Sequence, residues 1–249
     1  MVSPFRRHQM HVRGLTSGAT VRAASIAPDI RPDTPQGLEY AALRVALHDQ
    51  LRTLHDIQSI EARNPKKREY AQTYADWIDG VLTAGEQAGT AAQDEILITN
   101  MIWAIDYRDL DYALALATHA IRFNLAMPER FKRSVASFVA EQVAELALAT
   151  AEAVTLEQLM RVAEMIDGAD MHDPIRAKLY KAIARAMAAR ADTFDPTADN
   201  APAGGKAAYL DQAMGYYTRA AKLDPGVGVK KDIQAVERAQ KALAKEAAS

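Results

Sequence analysis

Two sets of residues in this chain could do chemistry, and they point to different work. Asp94, Glu95, Asp106, Asp109 and Asp111 bring five carboxylates close together in sequence, the raw material of a two-metal nuclease, which needs several carboxylates around divalent ions. The other set is basic. Residues 1–28 carry Arg6, Arg7, His8, Arg13 and Arg22 and no acidic residue, and Lys66, Lys67 and Arg68 follow in a row further on. Cations grouped in this way neutralise phosphates, each contact adding an increment of affinity that depends on salt and not on base sequence.

The carboxylates have a simpler explanation. Asp94 and Glu95 read as falling in a helix first turn, where the dipole favours anions, and Asp109 suits an N-cap. Gly204-Gly205-Lys206-Ala207 lacks both the spacing and the hydroxyl of a Walker phosphate loop. His8 and His11 sit three apart without the carboxylate of an HExxH site, and the absence of cysteine excludes thiolate metal sites and disulfides. No catalytic residue, metal or cofactor is therefore expected. The formal net charge of -2 gives no attraction of the whole protein to nucleic acid, so any such binding rests on local patches. For residues 1–28 two readings stand, a phosphate-binding arm and a solvated tail.

Positioning falls to helices. Ile96, Leu97, Ile98, Met101, Ile102, Trp103 and Ile105 lie nearly all round one helix, the mark of a buried element. After a polar break at Asp106 to Asp109, a second stripe of Leu110, Ala113, Leu114, Ala117, Ala120 and Ile121 makes an antiparallel hairpin with it. Its small residues let the two helices lie close, as in tetratricopeptide-like hairpins, and the same seven-residue interval returns at Ala213 and Ala220, followed by Pro225.

Around that hairpin, Thr34-Pro35 predicts an N-cap with Pro at the first helical position. The helix that follows is expected to run to about Arg63, with Asn64-Pro65 breaking it and capping the next. On that basis Lys66, Lys67 and Arg68 would stand in a first turn, opposing the helix dipole. Tyr70, Tyr74, Trp77 and Val81 read as core packing on one helix, and Gly80, Gly85 and Gly89 as bracketing a loop. Arg130, Lys132 and Arg133 are expected to open a further segment faced by Val135, Val139 and Val143. Thr155 with Gln158 predicts a capping box, and Asp173-Pro174 another helix start. Ala191 to Lys206 reads as a loop, either a mobile insertion or a boundary, and an insertion within a hairpin is preferred. In the last segment Ile233, Val236, Gln240 and Leu243 are expected to face inward, and its five cations make it locally basic. The expected organisation is an all-α chain of antiparallel helical hairpins: a basic flexible arm and linker at 1–33, a helical core at 34–191, a flexible loop at 192–206 and a tetratricopeptide-like helical segment at 207–246. No apolar run is long enough to span a bilayer, and Met1 to Val12 lacks the apolar region of a secretory signal, so the expected location is the cytoplasm.

Strings spread along the chain carry a family resemblance: SPFRRHQM at Ser3 to Met10, KKRE at Lys66 to Glu69, WIDGVL at Trp77 to Leu82, QDEIL with Thr99, Met101 and Trp103, DMHDPIRAKLYK at Asp170 to Lys181, and GVGVKKDI at Gly226 to Ile233. In order and spacing they resemble the small subunit of the phage terminase, in the family from temperate myoviruses with cohesive-ended genomes. The resemblance implies a packaging protein that binds double-stranded viral DNA near its cohesive-end site and delivers it to a terminase large subunit carrying the ATPase motor and nuclease. It also implies a homo-oligomeric ring in the host cytoplasm, with no membrane partner. The basic residues, Arg6, Arg7, His8, Arg13, Arg22, Lys66, Lys67 and Arg68, are then the expected DNA contacts. Two rivals remain, a tetratricopeptide-like protein-binding scaffold without a nucleic acid role, and a metal-dependent nuclease working alone.

Overall fold

The computed structural model describes residues 33–150, 152–195 and 205–247. Every regular element among them is helical, as the small residues and missing strand signals require. They fall into two compact units, one ending at Phe138 and the other beginning at Val139.

The first unit contains α1 (Pro35–Asp56), α2 (Ile60–Ala71), α3 (Ala75–Ala88), α4 (Glu95–Asp106) and α5 (Leu110–Arg122). Thr34 caps α1 as expected, its hydroxyl accepting from Gly37 N–H at 3.1 Å with Pro35 in the first turn. The helix then stops at Asp56, well before Asn64-Pro65. Ser59 caps α2, accepting from Ala62 N–H at 3.3 Å, and Pro65 lies inside that helix. The expected break is thus displaced toward the N-terminus. Pro65 removes one N–H from the helical ladder without ending it, while Asn64 spends its side-chain amide on the carbonyl of Asp106, at 2.7 Å, rather than on a cap.

The aromatic stripe is divided among three elements, with Tyr70 in α2, Tyr74 in a short 3-10 turn (Gln72–Tyr74) and Trp77 in α3. It is core packing all the same. Tyr74 is fully buried, and the rings of Tyr70 and Tyr74 stand 6.5 and 6.4 Å from that of Trp103, the tilted geometry aromatic pairs favour. Gly80 and Gly85 do not bracket a loop; both lie inside α3, and only Gly89 ends it, in the left-handed conformation at φ 68. Gly85 serves packing. A Cβ built on it would overlap His119 Cε1 and stand 3.1 Å from Phe123 Cε2, so α3 and α5 meet where only a glycine fits.

Helix α4 is buried on every face from Ile96 to Ile105. Burying each of its large apolar side chains contributes about 1.5–3 kcal/mol before entropy is counted, which makes α4 the centre of this unit. Asp94 and Asp109 cap α4 and α5, accepting from Leu97 N–H at 2.9 Å and Tyr112 N–H at 3.4 Å. Ala113, Ala117 and Ala120 are wholly buried, so α5 lies close on the hairpin.

In chain order the remaining helices are α6 (Val135–Ala149), α7 (Leu156–Met165), α8 (Asp173–Asp192), α9 (Gly205–Leu223) and α10 (Lys230–Ala247). Arg130, Lys132 and Arg133 precede α6 instead of opening it, because Ser134 Oγ accepts from Ser137 N–H at 3.2 Å and starts the helix there. Both halves of the Thr155–Gln158 capping box are made at 3.1 Å. From α7 to α10 successive helices run antiparallel. Arg190 on α8 meets Glu157 on α7 at 2.7 Å, Tyr180 on α8 packs on Tyr216 of α9 at 5.5 Å between ring centroids, and Gln240 on α10 donates to Asp211 on α9 at 2.7 Å. Val236 of α10 is buried, and Ile233, Gln240 and Leu243 are half-buried beside it. The middle of the expected loop, residues 196–204, lies outside the described residues.

Candidate functional site

Of the basic residues singled out by sequence, Arg6, Arg7, His8, Arg13 and Arg22 lie outside the described residues, while Lys66, Lys67 and Arg68 lie on α2. Because α2 begins at Ile60, these three are not in its first turn, and Arg68 is in its last. The expected opposition to the dipole is therefore reversed: a cation at the C-terminal end of a helix is favourable.

Their side chains do separate jobs. Lys67 is 13% exposed and its ammonium meets Asp106 Oδ2 at 2.6 Å. Arg68 donates to the carbonyl of Tyr107 at 3.0 Å and lies over the Tyr107 ring, 5.0 Å from its centroid. With Asn64 on the Asp106 carbonyl and Arg68 on that of Tyr107, α2 puts two donors on carbonyls that the end of α4 leaves without helical partners, while Lys67 holds the Asp106 carboxylate. This clamp sets the α4–α5 turn, in which Arg108 takes a left-handed φ of 69. Lys66 pairs with Glu69 at 2.8 Å and is about half exposed. The row of three thus presents Lys66 and Arg68 outward, and turns Lys67 inward.

The carboxylates are dispersed among structural tasks. Asp94 is buried, accepting from Leu97 N–H at 2.9 Å and Trp77 Nε1 at 2.8 Å. Burial pushes its pKa up, and the two hydrogen bonds pull back only in part. Glu95 accepts from Arg44 at 2.9 Å and contacts His48 Nε2 at 3.1 Å. Burial raises the Glu95 pKa, but the His48 and Arg44 hydrogen bonds outweigh it and hold the carboxyl below the usual range. Tyr40 stacks on Trp77 at 5.3 Å, and its hydroxyl accepts from Glu95 N–H at 3.0 Å. This cluster ties α1, α3 and the start of α4 together, and sequence reading missed it. The available signal was a core tryptophan, whose indole N–H needs an acceptor when buried. Asp106 is taken by Lys67 and Asp109 by its cap. Among the described residues no three His, Asp or Glu side chains are grouped to hold a metal ion, and no helix is long and apolar enough to cross a membrane.

A family model described as phage small terminase subunit matches residues 44–174, from the middle of α1 to the start of α8. A protein of Escherichia phage P2 described as "Terminase, endonuclease subunit" is 34% identical over 241 residues, 96% of this chain and 85% of that protein. A "Probable terminase, endonuclease subunit" of Haemophilus phage HP1 (strain HP1c1) is 26% identical over 108 residues, 43% of this chain and 37% of its own length. No solved structure matches the chain. The family match spans the clamp on α4 and, except for Tyr40, the cluster around Asp94, and with the identity to the P2 protein it shows that this chain belongs to the phage small terminase subunit family.

Proposed function

We propose that this protein binds double-stranded viral DNA near a cohesive-end site and delivers it to a terminase large subunit, which supplies the ATPase and the cutting activity. The observation that carries this is family membership, supported over 96% of the chain by the P2 relative; membership supports a role in DNA packaging. Contacts to phosphate come from Arg6, Arg7, His8, Arg13 and Arg22 in the segment 1–33, and from the outward Lys66 and Arg68, with Lys67 holding α4 in place behind them. The protein works in the host cytoplasm as a homo-oligomeric ring. Leu38 and Val45, 64% and 65% exposed on the outer side of α1, supply apolar surface for self-association. The antiparallel succession α7 to α10 supports a tetratricopeptide-like arrangement in that unit.

Cutting belongs to the holoenzyme in this reading, because Asp94, Glu95, Asp106 and Asp109 are each committed to a cap or an ion pair. Magnesium-dependent cleavage by the isolated protein, abolished by Asp94→Asn, would overturn that part. The main test is electrophoretic mobility of duplex from the cohesive-end region against scrambled duplex, at two salt concentrations, with the intact chain and one lacking residues 1–28. Preferential, salt-sensitive binding that the truncation weakens is the expected result; a folded protein that binds neither duplex refutes it.

A further inference from the structure

We infer that the outer face of α10 is a second phosphate-binding surface, a rigid basic ridge that lies along one strand of duplex DNA. This rests on the DNA-binding reading above. The face follows from helical geometry. At 100° per residue, Lys230, Gln234, Arg238, Lys241 and Lys245 fall within a sector of about 80°, while Ile233, Val236, Gln240 and Leu243 lie on the opposite side against the unit. All five outward positions are exposed and Val236 is buried, so the ridge points away from the core. Along the axis the stripe extends for about 22 Å, at 1.5 Å per residue.

The cations are held ready. Among the described residues Lys230, Arg238 and Lys241 have no ion-pair partner, whereas other cations of the same unit are spent: Lys178 on Glu145, Arg185 on Asp232 and Arg190 on Glu157. Glu237, at the edge of the stripe, is the one acidic residue near it. Asp232 faces elsewhere, toward Arg185 at 3.1 Å. The start of α10 is also fixed, because Lys181 donates to the Val227 carbonyl at 2.6 Å just before the helix and the Arg185–Asp232 pair grips its first turn. A helix anchored at one end, whose outer face carries Lys230, Arg238 and Lys241 without ion-pair partners among the described residues, suits a partner of regularly spaced negative charge. Duplex DNA presents one phosphate about every 3.4 Å per strand, and each turn of α10 brings a stripe position within reach of that line.

The test uses the full chain and a duplex of about 30 base pairs, reading the slope of log affinity against log salt, to which each phosphate contact adds about 0.9. K230Q/R238Q/K241Q should lower the slope by two to three, so that the fall in affinity over a fourfold rise in salt is on the order of ten- to fifty-fold smaller than for the wild type. Gln234→Lys, which fills the gap in the stripe, should raise the slope by about one. A gain of this kind cannot arise from misfolding. Wild-type binding with both variants unchanged overturns the α10 surface and leaves the proposed function standing. Absence of wild-type binding overturns both.

Discussion

Gly80 and Gly85 lie on the same helix, and opposite fates are expected for them on substitution by alanine. In an exposed helix interior Gly→Ala stabilises by about 0.8–1 kcal/mol through backbone entropy. At Gly80 nothing lies within 4 Å of the new methyl, so that gain should appear in full. At Gly85 the same gain meets a ring that cannot yield. His119 is buried, packed edge-on against Phe123 with ring centroids 4.7 Å apart, and the methyl would overlap its Cε1. Overpacking of this kind costs about 1–3 kcal/mol, leaving Gly85→Ala neutral to about 2 kcal/mol destabilised. Comparing the two variants cancels the propensity contribution, so their difference of about 1–3 kcal/mol isolates the steric cost. The readout is specific to this unit, because both tryptophans of the chain, Trp77 and Trp103, lie in it. Tryptophan fluorescence during urea unfolding should place Gly80→Ala above the wild type and Gly85→Ala below Gly80→Ala. A Gly85→Ala midpoint equal to that of Gly80→Ala would refute the close approach of α3 and α5.

Asp94→Ala removes a cap and takes the acceptor from the part-buried Trp77 indole N–H; a loss of about 1–3 kcal/mol is expected in the same assay, and Trp77 emission should change in the folded state. Lys67→Met leaves Asp106 unpaired and should cost about 1–3 kcal/mol; because Lys67 faces inward, the salt slope of duplex binding should stay at the wild-type value, and a decrease of about 0.9 would make it a phosphate contact instead. Burial pushes the His119 pKa below its ordinary 6.5, helped by Arg122 and opposed by Glu86, and Nε2 has no partner. The folded protein therefore binds fewer protons than the unfolded chain just below pH 6.5, so stability should be constant above that pH and fall beneath it, by no more than about 1.4 kcal/mol per pH unit. His119→Leu should flatten this dependence between about pH 7 and pH 5.5, as urea midpoints would report.

Local chemistry was legible in the sequence and distant partners were not. Thr34-Pro35, the Thr155–Gln158 box and the cap at Asp109 act within four residues, and each folds as read, whereas Asp94, read as a first-turn anion, stands one residue earlier as the cap. Asn64-Pro65 misled because Asn64's partner, the Asp106 carbonyl, stands 42 residues away. Without that partner an Asn-Pro pair reads as a break, and the error carried the following cations into the wrong turn. Lys67 finds Asp106 at a separation of 39 residues, and nothing local marks it as the inward member of its row. Gly85 looked like loop punctuation because its reason, the ring of His119, belongs to another helix. In α10 local basicity was plain, but which cations were unpaired became visible only when Arg185 claimed Asp232.

The all-round burial of α4 has a consequence for how this chain can vary. In α7 the buried positions Leu159, Val162 and Ala163 alternate with exposed Glu157, Arg161 and Glu164, so a scan of substitutions there should rise and fall with the turn of the helix. Across Ile96 to Ile105 no position offers a solvent face. Tolerance to charge should be uniformly low over all ten, a plateau without helical rhythm, and accepted changes there should be limited to exchanges of similar volume.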